Sequence, residues 1–389
     1  MADNVVHLVL ARTPDAPPGT KGISCFIVPK FMVNDDGTLG EPNDLKVVSI
    51  EHKMGINASP TCTMSFGDQG GATGWLLGNE FDGMRVMFVM MNMARLSVGV
   101  QGLGLAERTL QGALAHANER VQGKVVGTPK EDRTSPIVGH PDVRRMLLDM
   151  RSITEAMRGI CLMNAVAMDG ASALSDEDDR QKAEDLNELL IPITKAWCTD
   201  MGVEVTSLAV QVFGGMGFVE ETGVSQFFRD ARIAPIYEGT NGIQAMDLVG
   251  RKLPMRAGGV VTDTMANIRA TIDELNGQEE LAGIASRLSE ATDALDEATQ
   301  WIFANSGDIR DVLSGATPYL RMWGLVVGGW VLGKSALAAT EWAAEGGDEA
   351  FCTEKVRTAR WFADQQLPAV AGLVPRATAG AALMDEASL

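Results

Sequence analysis

Residues 229–244 read RDARIAPIYEGTNGIQ. The acidic residue Glu238 lies on a tight connection just before a predicted short helix. Gly239 beside it permits a close backbone approach or an unusual torsion angle, and Thr240 and Asn241 are both suited to cap the helix. Spacing alone favours a charge at a helix N-terminus over a catalytic role for Glu238. The stretch therefore predicts an acidic loop that leads directly into a helix.

On both sides of this stretch the apolar residues recur at helical spacing. Residues 254–259 are rich in Pro and Gly, which predicts a linker, and helical spacing then returns as far as about residue 383. Few aromatics and abundant Ala, Gly, Leu and Met agree with closely packed helices. Before the linker, the predicted helices cover residues 87–117, a stretch that opens at Pro141, residues 180–213, a short one around 226–229 and one just after 238.

The first 78 residues carry a strand-like pattern instead. Apolar and β-branched residues predict four strands, at residues 5–10, 23–28, 45–50 and 61–66. Asp35-Asp36-Gly37 marks one of the turns between them. We therefore predict a mainly α protein with a β-domain at 1–78, a helical bundle at 79–253 and an additional helical domain at 254–389.

The net charge of -18 argues against several kinds of partner. Nucleic-acid binding needs clustered Lys and Arg, and an acidic protein is repelled by anionic membrane surfaces. The longest uninterrupted apolar stretch, residues 323–333, is too short to span a bilayer, and the N-terminus lacks the pattern of a signal peptide. We expect a cytoplasmic protein that binds neither nucleic acid nor membrane.

Cysteine and histidine patterns give no sign of a metal site. The five cysteines are scattered without a CxxC pair, and the four histidines lack metal-ligand spacing. Buried free thiols in a reducing compartment are the favoured interpretation of the cysteines. We predict that no metal is bound.

Four further segments stand out along the chain. Residues 92–95 (NMAR) open a Gly-rich helix, residues 119–123 read ERVQG, His140 precedes a proline, and residues 211–218 read QVFGGMGF. Each has an ordinary interpretation by itself. Arg120 suits a solvated cation at a helix end, and the glycines suit a helix C-cap and turn.

Taken together and in this order, the segments resemble those of the acyl-CoA dehydrogenase family. The resemblance runs from about residue 7 to residue 252. It implies an acyl-CoA dehydrogenase-type helical bundle with a partial β-domain before it. The helical module after residue 253 resembles the C-terminal extension of a long subgroup that includes 3-methylmercaptopropionyl-CoA dehydrogenases.

The resemblance also implies a reaction and a site. Glu238 would remove the α-proton of an acyl-CoA thioester, a hydride would pass to FAD, and the product would be a trans-2-enoyl-CoA. The implied substrate-binding residues are Asn92, Arg95 and Gly239. The implied FAD-binding residues are Arg120, Gln122, His140, Gln211, Val212, Phe213, Gly214, Gly215, Thr240, Asn241 and Gly242. Family members share flavin sites between subunits, so a homo-oligomer (dimer or tetramer) is expected, with an electron-transfer flavoprotein as electron acceptor.

The chain departs from the family pattern at two points. Residue 1 falls inside the family's middle β-domain, so we expect the N-terminal helical domain and the first half of the β-domain to be missing. Gly123 also follows Gln122 directly, where the family places Phe before Gly. Two alternatives therefore stay open: a catalytically incomplete subunit or fragment that needs a partner, and an acyl-CoA oxidase.

Overall fold

Alternating apolar residues near the N-terminus fold as short strands, and the stretches of helical period after them fold as helices. The structure, a computed structural model, describes residues 4–127 and 135–388. It consists of two units, Met1–Ala94 and Arg95–Leu389. The mainly α fold is confirmed, and the second unit is almost entirely helical.

Strands occur only in the first unit among the described residues. They are β1 (Val6–Ala11), β2 (Ser24–Pro29), β3 (Phe31–Val33), β4 (Leu39–Pro42), β5 (Leu45–Ile50), β6 (Cys62–Phe66) and β7 (Trp75–Leu77). The four predicted strands are β1, β2, β5 and β6. Sequence analysis missed β3, β4 and β7 because three or four residues are too few to show a period.

The strands form three small antiparallel sheets. β2 lies between β1 and β7, β3 pairs with β4, and β5 pairs with β6. The predicted turn at residues 35–37 joins β3 to β4, and Gly37 there has a φ of 82°. Its N–H donates to the carbonyl of Asn34 at 2.9 Å. A glycine is favoured at this turn because other residues rarely adopt positive φ.

The helices occur where apolar residues recur at helical spacing. In the described residues they are α1 (Gly83–Glu119), α2 (Pro141–Ala173), α3 (Glu177–Phe213), α4 (Val224–Ala231), α5 (Asn241–Asp247), α6 (Gly259–Asn276), α7 (Ala282–Ala304), α8 (Ile309–Ser314), α9 (Ala316–Ala344), α10 (Glu349–Gln365), α11 (Ala369–Ala377) and α12 (Ala382–Glu386). The helices predicted from the sequence correspond to α1 to α5, and the helical C-terminal region to α6 to α12.

One hydrophobic core runs through the whole second unit. It includes Trp197 of α3 and Trp323 of α9, both fully buried. α9 approaches α3 closely at Gly324, where an added Cβ would lie 2.1 Å from the Trp197 ring. The helices after residue 254 therefore share a core with those before it, and the predicted boundary at 253 stays a prediction.

The predicted linker at 254–259 is an ordered turn. Met255–Gly258 forms a short helical turn in which Arg256 and Ala257 have positive φ values of 48° and 54°. The Arg256 guanidinium is ion-paired with Asp185 at 2.8 Å and with Asp263 at 2.5 Å. Because these ion pairs join the turn to α3 and α6, it holds the two sets of helices together.

Glycines bring the second-unit part of α1 against α3. A Cβ at Gly99 would lie 2.8 Å from the Thr194 side chain, and one at Gly102 would lie 2.7 Å from the carbonyl oxygen of Cys198. Any larger residue would force the two helices apart. This close packing places residues 95–102 beside the middle of α3, which also contacts the acidic loop described below.

In the part of the chain that the structure describes, three helices are long and apolar enough to cross a membrane by length and composition. They are α1, α3 with the turn that follows it, and α9. In α9, 78% of the apolar window is buried inside the protein, which accounts for its composition as a core helix. Counting uninterrupted apolar runs missed these helices, and the absence of membrane binding stays a prediction.

Candidate active site

The acidic loop between α4 and α5 has an unusual backbone. Glu238 has a φ of 55° and Gly239 a φ of 83°. The N–H of Asn241 donates to the carbonyl of Pro235 at 3.0 Å and closes the loop. A non-glycine residue in this left-handed region carries a strain of about 1 kcal/mol. The loop is therefore held in a form that Glu238 would not favour by itself.

Gly239 is required for two reasons. Its φ is positive, and an added Cβ would lie 2.7 Å from Nε2 of Gln244 and 4.0 Å from the Arg95 guanidinium. Both properties expected from the sequence, the unusual torsion and the close approach, are present. Gln244 is fully buried and donates to the Gly239 carbonyl at 3.4 Å.

Thr240 caps α5, as predicted. Its hydroxyl accepts a hydrogen bond from the N–H of Ile243 at 3.3 Å. The side chain of Asn241, the other cap candidate, is turned toward α3 instead. Thr240 and Gly242 are exposed, whereas Asn241 is half-buried.

A buried ion pair lies beside the loop. Nη1 of Arg95 lies 3.1 Å from Oδ2 of Asp247, and the two side chains are 4% and 2% exposed. Arg251 adds a second contact at 2.6 Å to the other oxygen of Asp247. The guanidinium of Arg95 thus packs under Gly239, and its predicted contact with substrate stays a prediction. Sequence analysis missed Asp247, although an acidic residue within an apolar helix was a usable signal.

Asn241 anchors the end of the loop to α3. Its Oδ1 accepts from Nζ of Lys195 at 2.8 Å, and its Nδ2 donates to Asp200 at 2.7 Å and to the Ala196 carbonyl at 3.0 Å. Lys195 is fully buried. Burial lowers the pKa of Lys195 to about 8, while the neighbouring carboxylate of Asp200 acts in the opposite direction. Burial also raises the pKa of Asp200.

Tyr237 gives the loop a further contact. Its hydroxyl donates to Oε1 of Gln101 on α1. Burial raises the pKa of Tyr237, so the phenol keeps its proton and remains a donor. The residue before Glu238 is therefore tied to α1, and Asn241 is tied to α3.

Three predicted flavin-contact residues assemble at the end of α1. Nη2 of Arg120 donates to Oε1 of Gln122 at 3.1 Å, and the His140 ring lies 2.8 Å from the Gln122 carbonyl. Gly123 has a φ of 67°, and its carbonyl accepts from the N–H of Ser135 at 3.4 Å. The departure from the family motif at Gly123 thus coincides with a turn that glycine favours.

The second predicted flavin segment ends α3 close to this cluster. Phe213 stacks on His116 of α1, with ring centroids 4.2 Å apart and 11° between the ring planes. Burial, followed by the charge of Arg120, lowers the pKa of His116. His116 therefore joins the two flavin segments, although sequence analysis did not single it out.

The glycines after Phe213 face open space. Gly214 has a φ of 61° and ends α3, and a Cβ added at Gly214 or Gly215 would meet no atom within 4 Å. Gln211 is exposed, whereas Val212 is buried. A ligand could approach the backbone at the two glycines closely, while Val212 holds the segment to the core.

The acidic loop and the flavin segments lie at different levels of α3. Asn241 contacts α3 at Lys195 and Asp200, which precede Gln211 by 16 and 11 residues. At a rise of 1.5 Å per residue, Asp200 and Lys195 lie about 17–24 Å from Gln211 along the helix axis. Asn92 belongs to the first unit, where it is half-buried. Within the described ranges, no group of three or more His, Cys, Asp or Glu residues could hold a metal ion.

Comparison with known proteins gives two matching family models. "Acyl-CoA dehydrogenase, C-terminal domain" matches residues 82–253, and "Acetyl-CoA dehydrogenase C-terminal like" matches residues 264–387.

The chain is similar to several curated proteins over most of its length. It is 47% identical to 3-methylmercaptopropionyl-CoA dehydrogenase of Ruegeria pomeroyi, over 94% of this chain and 62% of that protein. It is 37% identical to a butyryl-CoA dehydrogenase of Syntrophomonas wolfei, over 96% of this chain and 62% of that protein. The chain thus spans about three fifths of the length of these relatives.

Among solved structures, an acyl-CoA dehydrogenase of Bacillus anthracis complexed with FAD matches with a TM-score of 0.74 at 20% identity. The match covers 96% of this chain and 61% of that one. At this identity the likeness concerns the fold.

Proposed function

Because this chain belongs to the acyl-CoA dehydrogenase family, we propose that it catalyses α,β-dehydrogenation of an acyl-CoA thioester to a trans-2-enoyl-CoA. The observation that carries the proposal is the strained loop that presents Glu238, held by half-buried polar contacts on both sides. Such strain is typical of functional sites, where the surroundings fix a costly conformation. The identity of 47% to a 3-methylmercaptopropionyl-CoA dehydrogenase agrees with the subgroup predicted from the sequence.

In this proposal Glu238 is the base that takes the α-proton. The α-proton of a thioester is weakly acidic, so its removal needs a positioned carboxylate and donors for the developing enolate oxygen. The loop fixes the direction in which the Glu238 side chain leaves the backbone. The backbone N–H of Glu238 is the donor that the family resemblance assigns to the enolate oxygen. Gly239 lets the loop pack closely against Gln244 and Arg95, which holds the carboxylate in place.

The exposed end of α1 and α3 fits the anionic diphosphate of FAD. Arg120 supplies a cation, and Gly214 and Gly215 leave open space in which a ligand can approach the backbone. Arg120, Gln122, His140 and Gln211 would hold the cofactor there. When bound, FAD supplies the acceptor for the substrate hydride.

Family members share flavin sites between subunits, and a separation of about 17–24 Å along α3 is compatible with a flavin site shared between two copies. We therefore propose a homo-oligomer in which Arg120 of one copy serves the Glu238 site of another. Co-expression of Glu238→Gln and Arg120→Ala chains tests this arrangement. Random pairing makes half of the dimers mixed, with one intact site in two, so about one quarter of wild-type activity should return. No recovery above the separate variants would place both residues in one copy's site.

Substrate and electron acceptor follow from the relatives. We propose a short acyl-CoA as substrate, with 3-methylmercaptopropionyl-CoA and butyryl-CoA as the first compounds to test, because relatives are named for them. An electron-transfer flavoprotein is the proposed acceptor. A cytoplasmic location, with neither nucleic acid nor membrane as a partner, is proposed from charge and sequence pattern alone.

Purification of the chain after expression with excess riboflavin tests the function. A yellow protein that bleaches anaerobically with an acyl-CoA and reduces an electron-transfer flavoprotein supports the dehydrogenase. Stoichiometric peroxide without flavoprotein reduction would identify an oxidase. A colourless chain that stays inactive with added FAD would contradict the proposal and favour the incomplete subunit.

A further inference from the structure

The loop that presents Glu238 is held in place by a polar network in which two members have no assigned role. We propose that Lys195 and Asp200 are positioning residues for Glu238, acting through the side chain of Asn241. This inference rests on the proposed role of Glu238 as the base. It assigns a function to a lysine that lies fully inside the helical core.

Asn241 is the point where the loop meets the rigid helices. Its N–H closes the loop on Pro235 at 3.0 Å, and its side chain is engaged on both ends by α3. Glu238 lies three residues earlier, in a left-handed conformation. A strained residue relaxes unless its surroundings hold it. Releasing the Asn241 side chain should therefore let the Glu238 backbone move.

Lys195 and Asp200 hold Asn241 by complementary roles. The ammonium of Lys195 donates to Oδ1, and the carboxylate of Asp200 accepts from Nδ2. This pairing fixes the orientation of the amide, because a flipped amide would oppose both neighbours. Hydrogen bonds with ionised partners are also stronger than neutral ones. The amide is thus fixed more firmly than a solvent-exposed capping residue would be.

The network is poorly explained by stability alone. A fully buried lysine carries a large desolvation cost, and apolar residues of similar volume often replace buried charges without loss of stability. Met has a comparable length and would fill the site. A charged residue at this position is better explained by what its ammonium holds, which is the end of the Glu238 loop.

Two arginines of the C-terminal helices α9 and α11 lie near the same network. A cavity of about 140 Å³ is lined by Asp200 and Asn241 on one side and by Arg321 and Arg376 on the other. The charge of Arg321 lowers the pKa of Asp200 and partly offsets the effect of its burial. Asp200 is therefore faced by two cations, Lys195 and Arg321, which favour the ionised acceptor that Asn241 needs.

Hydrogen–deuterium exchange of the chain as purified tests the inference without relying on turnover. In Lys195→Met, exchange at the N–H groups of Asn241 and Ile243 should accelerate about tenfold, as expected for loss of one charge-assisted bond. The control is Thr271→Val, which removes a buried hydrogen bond to Trp330 at 2.9 Å, elsewhere in the unit. It should leave these two amides unchanged. Equal exchange in wild type and Lys195→Met would overturn the positioning role.

Kinetics of the flavin-loaded protein give a second readout. Lys195→Met and Asn241→Ala should each lower kcat about tenfold or more, with KM changed less than about threefold. The double variant should lose no more than the worse single variant, because both act through one contact. Multiplicative losses would overturn the inference. Should Lys195→Met fail to fold, Asp200→Asn tests the same link by removing the charge at constant shape. About threefold faster exchange at Asn241 is then expected, and unchanged exchange would contradict the role.

The two proposals fail in different ways. A wild-type chain that does not turn over any acyl-CoA counts against the proposed function, and the exchange experiment then decides the positioning role. A wild-type chain that is active, with Lys195→Met equal to it in both exchange and kcat, counts against the positioning role alone.

Discussion

Replacing Lys195 by Met should change how the stability of this chain depends on pH. The Lys195 ammonium is fully buried and faces Asp200, Arg95, Glu238 and the Asn241 amide. Burial lowers its pKa from 10.5 to about 8. Between pH 8 and pH 10.5 the unfolded chain therefore keeps this proton, whereas the folded chain has largely lost it. The residue's contribution to the free energy of unfolding rises with pH across that window and is constant below it.

The pKa of Lys195 sets the size of the effect. Relative to acidic pH, the contribution is about 0.2 kcal/mol at pH 7.5 and about 2 kcal/mol at pH 9.5. Met carries no titratable group, so the variant lacks this rise. The difference in unfolding free energy between wild type and Lys195→Met should thus shift by about 2 kcal/mol in favour of wild type over this interval.

Urea unfolding followed by tryptophan fluorescence measures this difference. Six of the seven tryptophans belong to the second unit, so the signal reports on the helices around Lys195. Lys182→Met is the matched control, since Lys182 is 74% exposed and its pKa is raised by Asp179. Its difference from wild type should stay constant with pH. A constant difference for Lys195→Met as well would refute a depressed pKa at this buried lysine.

Three further substitutions test the packing and the site. Gly324→Ala should destabilise the second unit by about 2 kcal/mol or more, since its Cβ would overlap the Trp197 ring, and urea unfolding measures this. Asp247→Ala should cost about 3–5 kcal/mol because it leaves the Arg95 charge buried without its carboxylate, as a melting temperature would report. Gly239→Ala should lower kcat at least tenfold with flavin content unchanged, because it forces the acidic loop to move. A variant with the wild-type unfolding free energy, melting temperature or kcat, respectively, would contradict the contact on which its prediction rests.

Local patterns were sufficient for most of the fold. The long helices and the four longer strands show their period directly, and Thr240 lies where a capping residue was expected. The turn at 254–259 was harder, because the ion pairs of Arg256 with Asp185 and Asp263 that order it depend on distant residues. Pro and Gly content alone is the same for an ordered turn and for a loose linker.

The candidate site was only partly predictable for the same reason. Glu238 and Gly239 belong to one continuous motif, so sequence was enough to single them out. Lys195 is 46 residues from Asn241, and Arg95 is 152 residues from Asp247. Contacts at such separations depend on how the helices pack, and periodicity describes each helix alone. The roles of the individual site residues remain predictions.

The most direct test of the proposed chemistry is the anaerobic reduction of the bound flavin by an acyl-CoA in Glu238→Gln. The substitution keeps the shape of the side chain and removes the base. With fold and flavin content equal to wild type, the variant should bleach at least about 10³-fold more slowly than wild type. The exposed-site control Glu221→Gln should bleach at the wild-type rate. Bleaching of Glu238→Gln within about threefold of wild type would contradict the assignment of Glu238 as the base.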